Sequence, residues 1–293
     1  MRVNLNTNIT LQSHNNSRLN SKNNNSVMSV ATSTTSVSNK PNMLNLEADT
    51  LAFNGTRKNS RFFNEFMFYI AIGHEKAVNQ FLKDDVVYVN EAAENGLTPL
   101  TAGILERKDK IVDLLLAHKD IDVNLKQNNN VTPLICAVSM QNEHAVNSLL
   151  NHKNIDPNLQ GEDKISPLHY AIRGGNINLV KKLLAHKDIN PNLSAKRDIT
   201  PLMLAVHEKN IEMIRELLKH KKIDVNAKDD NGYNALMYAY PDIKILKLLL
   251  EHENIDVISP VKDNKNILGL ALSLKHYDVA QLIYKHMSER GLN

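Results

Sequence analysis

The apolar and polar positions of this chain follow a pattern that repeats every 34 residues from about residue 59 onward. Each copy holds two short stretches with apolar residues three and four positions apart, which is typical of amphipathic helices. The copies are marked by the segments Thr98-Pro99-Leu100, Thr132-Pro133-Leu134, Ser166-Pro167-Leu168, Thr200-Pro201-Leu202, Asn234-Ala235-Leu236 and, after 32 residues, Asn266-Ile267-Leu268. A period of this length predicts stacked units of two helices that bury a core only against their neighbours.

Local signals predict where the first helix of each unit begins. Each marker segment starts with Thr, Ser or Asn, whose side-chain oxygen can accept from the free amides of the first turn. Pro follows in four of the six segments, at the one helical position where its missing N–H costs nothing. A small residue recurs inside this helix and predicts close packing between neighbouring units: Gly103, Ala137, Ala171, Ala205, Ala239 and Ala271.

The second helix and the turns follow the same register. Leu179-Val180 with Leu183-Leu184, and Met213-Ile214 with Leu217-Leu218, predict one broad buried stripe. An Ile recurs in the linker after this helix, and we expect it to be buried: Ile121, Ile155, Ile189, Ile223 and Ile255. Two residues before each cap, a left-handed turn is expected at Gly96, Asn130, Lys164, Asp198, Gly232 and Asn264. Lys164 suits that conformation least, which predicts local strain or a different turn.

The two ends of the pattern are atypical, as terminal units of a stack should be. Counting back one period places a cap at Asn64 and puts Tyr69 in the column of small residues. In the sixth unit two residues are missing around Tyr240-Pro241-Asp242, which predicts a tight loop with Pro241 starting the second helix.

One unit carries a longer signature. Residues 166–193 read SPLHYAIRGGNINLVKKLLAHKDINPNL, and this stretch resembles the ankyrin repeat, with its Thr-Pro-Leu-His and Asp-Val-Asn segments. Asp-Val-Asn recurs at 122–124 and 224–226, although the period here is 34 rather than the usual 33. The resemblance covers residues 59–293 and implies an all-α solenoid of stacked helix pairs with short hairpin loops. Its seven repeats would span 59–92, 93–126, 127–160, 161–194, 195–228, 229–260 and 261–293.

Residues 1–58 have a different composition. Asn, Ser and Thr dominate, and apolar residues are scattered singly. Such a segment buries too little surface to offset its chain entropy, so a disordered N-terminal tail is predicted. It lacks the apolar core of a secretory signal peptide, and no stretch of the chain is apolar enough to predict a transmembrane helix.

Charge and cysteine content narrow the functional classes. The net charge of +3 arises in the tail and leaves the repeats near neutral, which argues against dedicated nucleic-acid binding. The single cysteine, Cys136, excludes intrachain disulfides and indicates a reducing compartment. We therefore expect a cytoplasmic protein that binds neither nucleic acid nor membrane. The style of the repeats also resembles ankyrin proteins of intracellular bacteria, which leaves export into a host cell open.

Three features suggest chemistry, and each has a plainer interpretation. A histidine ends the second helix of six units: His118, His152, His186, His220, His252 and His286. We expect these side chains to complement the helix dipole and the last carbonyls rather than to bind a metal. Cys136 is expected to be a small, partly buried filler and not a nucleophile. The linker residues Asn124 and Asn226, which are hydroxylated in some metazoan ankyrin proteins, are expected to stabilise hairpins. No catalytic residue, cofactor or metal is predicted.

The functional feature that the sequence does predict is a surface that binds a protein partner. The resemblance implies that partners meet the hairpin tips and the first helices, on the concave side of the stack. The residues expected to contact a partner are Leu97, Val131, Met140, Ile165, Arg173, Ile199, His207 and Tyr233. Five of them are apolar and directly follow the left-handed turn position, so packing against the adjacent hairpin is the competing interpretation. The function expected is a monomeric, non-enzymatic scaffold for a protein partner. The alternative is an adaptor or secreted effector whose tail directs localisation or recruits a second partner.

Overall fold

The computed structural model describes residues 61–260 and 266–292. Within those ranges the chain forms seven consecutive pairs of antiparallel helices and no β-strand. The helices are α1 (Arg61–Ile72), α2 (Glu75–Lys83), α3 (Pro99–Leu105), α4 (Asp109–Leu116), α5 (Pro133–Ser139), α6 (Glu143–Leu150), α7 (Pro167–Arg173), α8 (Ile177–Leu184), α9 (Pro201–His207), α10 (Ile211–Leu218), α11 (Ala235–Ala239), α12 (Ile243–Leu250), α13 (Ile267–Ser273) and α14 (Tyr277–Glu289). The all-α fold of stacked helix pairs is confirmed. The predicted tail, residues 1–58, lies outside the described residues.

Caps define both helices of a unit. The six residues predicted to cap the first helices do so, each accepting a hydrogen bond through its side chain from a backbone N–H of the first turn. The second helices begin at caps that the sequence pattern did not single out. Asn142, Asn176, Asn210 and Asp242 accept in the same way at the starts of α6, α8, α10 and α12.

The core runs through the stack as one layer between the helix pairs. Leu179, Val180 and Leu183 of α8 are completely buried, as the predicted stripe requires. The small-residue column is buried as well, with Ala171 only 1% exposed. At Gly103 a Cβ atom would lie 3.3 Å from a methyl group of Val112, so this packing leaves little room for larger side chains.

The predicted turn positions adopt left-handed backbone where they are described. Gly96 and Gly232 have φ of 81° and 80°, and Asn130 and Asp198 have φ of 57°. Lys164 also has φ of 57°, and Asp163 before it has φ of 53°, so two successive non-glycine residues occupy this region in that hairpin. Arg197 and Asp198 form the same pair in the next hairpin, with φ of 65° and 57°. The expectation of a different turn at Lys164 is therefore wrong, and local strain there stays a prediction. Asn264 lies outside the described residues.

Two expectations for atypical units are wrong. Asn64 does not cap a helix, because α1 already includes it. The buried rings of Phe63 and Phe66 anchor this longer helix to the core instead. Pro241 does not start α12. It lies in the turn before Asp242, whose carboxylate accepts from the amides of Lys244 and Ile245 and therefore sets the start of the helix.

Candidate functional site

Five hairpins project from the stack at regular intervals. In each, a backbone N–H donates to the carbonyl four residues on, over 2.8–3.0 Å. The bonded pairs are Ala93 with Leu97, Gln127 with Val131, Gly161 with Ile165, Ala195 with Ile199, and Asp229 with Tyr233. We call these hairpins the fingertips. Together with the neighbouring first helices α3, α5, α7, α9 and α11, they make up the fingertip face.

A ladder of asparagine side chains sets the spacing of the units. In each rung, the Asn Nδ2 donates to a backbone carbonyl of the next unit over 2.6–2.7 Å, and its Oδ1 accepts from a backbone N–H there over 2.8–3.0 Å. The rungs are Asn90, Asn124, Asn158, Asn192 and Asn226. The expected role of Asn124 and Asn226 in hairpins is therefore wrong, because their side chains join neighbouring units.

Neighbouring fingertips are also tied to one another. The Lys196 Nζ lies 3.0 Å from a carboxylate oxygen of Asp163. The Arg197 Nε lies 3.5 Å from Asp230, and the backbone N–H of Asp230 donates to the Arg197 carbonyl over 3.1 Å. These side chains are substantially exposed, so the ion pairs contribute little stability. Their effect is to place charges of both signs in a fixed order along the tips.

The predicted apolar column lies at the base of the fingertips. Leu97, Val131, Ile165 and Tyr233 are half-buried, and Ile199 is only 8% exposed. Packing against adjacent structure therefore occupies much of this column, and Ile199 offers almost no area to a partner. The part that the four half-buried residues play in binding stays a prediction.

The other predicted contact residues lie on the helix side of the fingertip face and are accessible. Met140 is 38% exposed at the end of α5, and Arg173 and His207 are exposed at the ends of α7 and α9. A guanidinium nitrogen of Arg107 donates to the Met140 carbonyl over 2.7 Å, which fixes the backbone there. The three side chains come from successive units and line one edge of the face.

Two residues of this face were missed from the sequence. Asp229 is 7% exposed, and its carboxylate accepts from the backbone N–H groups of Asn231 and Tyr233 and, over 2.8 Å, from the Tyr238 hydroxyl. Burial, followed by the bond to this carboxylate, raises the pKa of Tyr238. The sequence does contain a signal for Asp229, because the other fingertips have Ala, Gln or Gly at the equivalent position. The single carboxylate at this position indicates a fingertip that is hydrogen-bonded to the first helix of its own unit.

A buried histidine joins a first helix to the next fingertip. His169 is 2% exposed, with Nδ1 2.7 Å from the Ser166 Oγ and Nε2 3.0 Å from the Ile199 carbonyl oxygen. Since a carbonyl only accepts, Nε2 carries the proton and donates, and Nδ1 accepts from the hydroxyl. Burial lowers the pKa of His169 to about 4. The ring is therefore neutral at physiological pH.

The histidine column ends the second helices, but not as cations that bond carbonyls. In five units the Nδ1 atom accepts from the backbone N–H two residues on, over 3.2–3.3 Å. Burial lowers the pKa of His152 and His220, in keeping with a neutral acceptor. In the described part of the chain, one group could offer three metal ligands, Asp85, His118 and Asp120. Lys119 lies 3.3 Å and 3.5 Å from those two carboxylates and supplies the charge that a cation would bring.

Among the described residues, neither Cys136 nor a cluster of Asp, His and Ser side chains has the arrangement of an activated nucleophile. Cys136 is 6% exposed, and burial raises the pKa of its thiol to about 11, which leaves it protonated and inert. Asp113, His144 and Ser148 meet on the second-helix side, a contact that the sequence pattern did not indicate. Both carboxylate oxygens lie 3.0 Å from the His144 Nε2, and Ser148 donates to the same carboxylate. A relay needs acid and nucleophile on opposite ring nitrogens, and here both lie on one side.

Comparisons with known proteins agree with this geometry. The family model described as ankyrin repeats (3 copies) matches residues 66–161, 108–195 and 168–261. The solved ankyrin repeat domain of Bcl-3, described as a unique member of the IkappaB protein family, is 20% identical and has a TM-score of 0.67. The match covers 74% of this chain and 97% of that one. A second structure, the ankyrin repeat protein EF0377, is 23% identical with a TM-score of 0.58, covering 64% of this chain and 96% of that one. These identities support a shared fold alone.

A comparison with curated protein sequences gave no match. Among the described helices, none combines the length and the apolar character needed to cross a bilayer.

Proposed function

The chain belongs to the ankyrin-repeat family, and on that premise we propose that it binds a protein partner across the fingertip face without catalysing a reaction. Ankyrin repeats are in general modules for protein–protein interaction. The observation that carries the proposal is the row of five fingertips, whose units the asparagine ladder holds in register. A surface organised before binding loses little entropy when a partner docks.

The accessible residues divide into anchors and charged positions. Tyr233 and the half-buried Leu97, Val131 and Ile165 supply apolar edges between the tips. Met140 adds a flexible apolar side chain that can adapt to a partner. Arg173 and His207 provide polar contacts along the helix edge, where charge sets specificity and association rate. Ile199 supports the fingertip from below and contributes little contact area.

A charge reversal with a matched control tests the face. Arg173→Glu changes the fingertip face, and Arg215→Glu makes the same change on an exposed position of α10, on the second-helix side. Binding partners captured with the wild-type chain would be titrated against both variants and against Tyr233→Ala. We expect Arg173→Glu and Tyr233→Ala to weaken binding, by about 2 kcal/mol at a true hot spot. Weaker binding by Arg215→Glu alone would refute the choice of face.

The alternative function, an adaptor directed by its tail, depends on residues 1–58, which lie outside the described residues. Capture with a chain that lacks them separates the two proposals, because loss of every partner would favour the adaptor. We retain the cytoplasm as the proposed compartment, where the single buried thiol of Cys136 would stay reduced.

A further inference from the structure

The last helix pair exposes apolar side chains at positions that the other units bury. Leu272 on α13 is 52% exposed, whereas the residues at its position in the five preceding units are between 0% and 8% exposed: Ile104, Val138, Ile172, Val206 and Tyr240. Tyr284 on α14 is 59% exposed. Its counterparts are buried or half-buried: Leu82, Leu116, Leu150, Leu184, Leu218 and Leu250. In those units the next helix pair covers the position, so α13 and α14 retain the chemistry of the interface between units.

Helix α14 exposes a second large aromatic side chain on its solvent side. Tyr277 is 65% exposed and lies two turns before Tyr284, and Gln281 is exposed between them. Residues at this spacing share one side of a helix. A terminal unit of a soluble repeat stack normally turns a polar surface outward. We call Leu272, Tyr277, Tyr284 and the charged residues Asp278 and Lys285 the terminal face.

The charges on the terminal face complement a second copy of the same face. Asp278 lies near the start of α14 and Lys285 lies seven residues later, both exposed. When two such helices pack antiparallel about a two-fold axis, Asp278 of each chain meets Lys285 of the other, and the axis passes between Gln281 and Leu282. Opposite charges across an interface favour association, whereas like charges facing each other would oppose it.

The first unit is a poor occupant for this face. Its column of small residues holds the bulky Tyr69, whose ring packs against Phe68, His74 and Phe81. A head-to-tail stack would need close approach at that position, where every later unit has Gly or Ala. A two-fold contact between identical faces avoids this clash, and it is the commonest symmetry of protein oligomers.

We propose that two copies of this protein associate through their terminal faces, with α14 of one chain antiparallel to α14 of the other. The contact continues the interface between units across a two-fold axis and buries Leu272, Tyr277 and Tyr284. This arrangement goes beyond the proposed partner binding and replaces the monomer expected from the sequence. It leaves both fingertip faces free, since none of the residues of the terminal face belongs to a fingertip.

Sedimentation equilibrium of the full chain, over roughly 1–100 μM, covers the affinities of weak and moderate protein dimers. We expect a dimer of twice the 33.0 kDa chain mass. Tyr284→Glu and Leu272→Glu should each raise the dissociation constant at least about tenfold, because each places a charge in the apolar centre. Phe68→Glu is the matched control, since Phe68 is also 59% exposed but lies on the first unit. A chain that stays monomeric throughout, or a dimer lost only with Phe68→Glu, would overturn the proposal.

A charge swap tests the antiparallel arrangement. Asp278→Lys and Lys285→Asp should each weaken the dimer, because each sets like charges against one another across the axis. The double variant should recover the wild-type dissociation constant. Lys285 also lies 3.7 Å from Glu289 in its own chain, so each variant is checked for an unchanged circular dichroism spectrum. A double variant no tighter than the single ones would rule out the antiparallel pairing.

Discussion

Low pH should reduce the free energy of unfolding of this protein through His169, whose ring joins a first helix to the next fingertip. The pKa of this side chain is about 4 in the folded chain, against 6.5 for an ordinary histidine. The unfolded chain therefore takes up the proton first, and falling pH favours unfolding. The stabilising contribution is complete above pH 6.5 and is lost as pH falls toward 4. A difference of that size amounts to about 3 kcal/mol in all, of which about 2 kcal/mol is lost by pH 5.

The matched variant is His169→Met, because Met203 and Met237 occupy the same position in the next two units. It removes the titrating group while other histidines of lowered pKa, such as His152 and His220, stay in both proteins. Urea unfolding followed by circular dichroism at pH 7.5 and pH 5 gives the stability of each chain. We expect the wild type to lose about 2 kcal/mol more than the variant between the two conditions. Equal losses would show that His169 does not titrate as a buried neutral ring.

Two further substitutions test the packing and the ladder. Ala171→Leu should overfill the contact between first helices and cost about 1–3 kcal/mol in thermal unfolding, whereas Ala185→Leu, the same change at an exposed helix end, should be nearly neutral. If the two variants were equally stable, the column of small residues would not lie at the contact between first helices. Asn158→Ala removes one rung of the ladder with both of its hydrogen bonds, and we expect it to lower the free energy of unfolding in urea by about 1–3 kcal/mol. The control Asn147→Ala, at an exposed position, should change that free energy little. A neutral Asn158→Ala would mean that the ladder adds no stability.

Features governed by neighbours in sequence could be predicted, because their physics is local. Thr132 caps α5 whatever surrounds it, since the accepting oxygen and the donating amide lie three residues apart. Gly96 turns left-handed for an equally local reason, the absence of a Cβ. The repeat period then placed the helices correctly, since one correct unit implies the others.

Features governed by a neighbouring unit could not be read from the same pattern. Asn158 looks like a turn residue in sequence, yet its side-chain partners lie 30 and 32 residues away. His169 shows only its helix position in the sequence, whereas its Nε2 donates to the Ile199 carbonyl, 30 residues further on. Burial of Ile199 likewise depends on how adjacent structure packs over it. Periodicity identifies such columns without indicating which of their atoms are used.

The asparagine ladder stops one unit short of the end, and this has a mechanical consequence. At the position of the next rung the chain has Ile258, which cannot clip the last helix pair. Near the end of α14, the Arg290 guanidinium donates to the carbonyls of His252 and Glu253 and joins the last pair to the sixth unit. A pulling force applied at the C-terminal end breaks the hydrogen bonds of Arg290 before it acts on the asparagine ladder. The stack should then yield from that end, releasing about 120 Å of chain for each unit of 34 residues, with Asn226 as the first rung to resist.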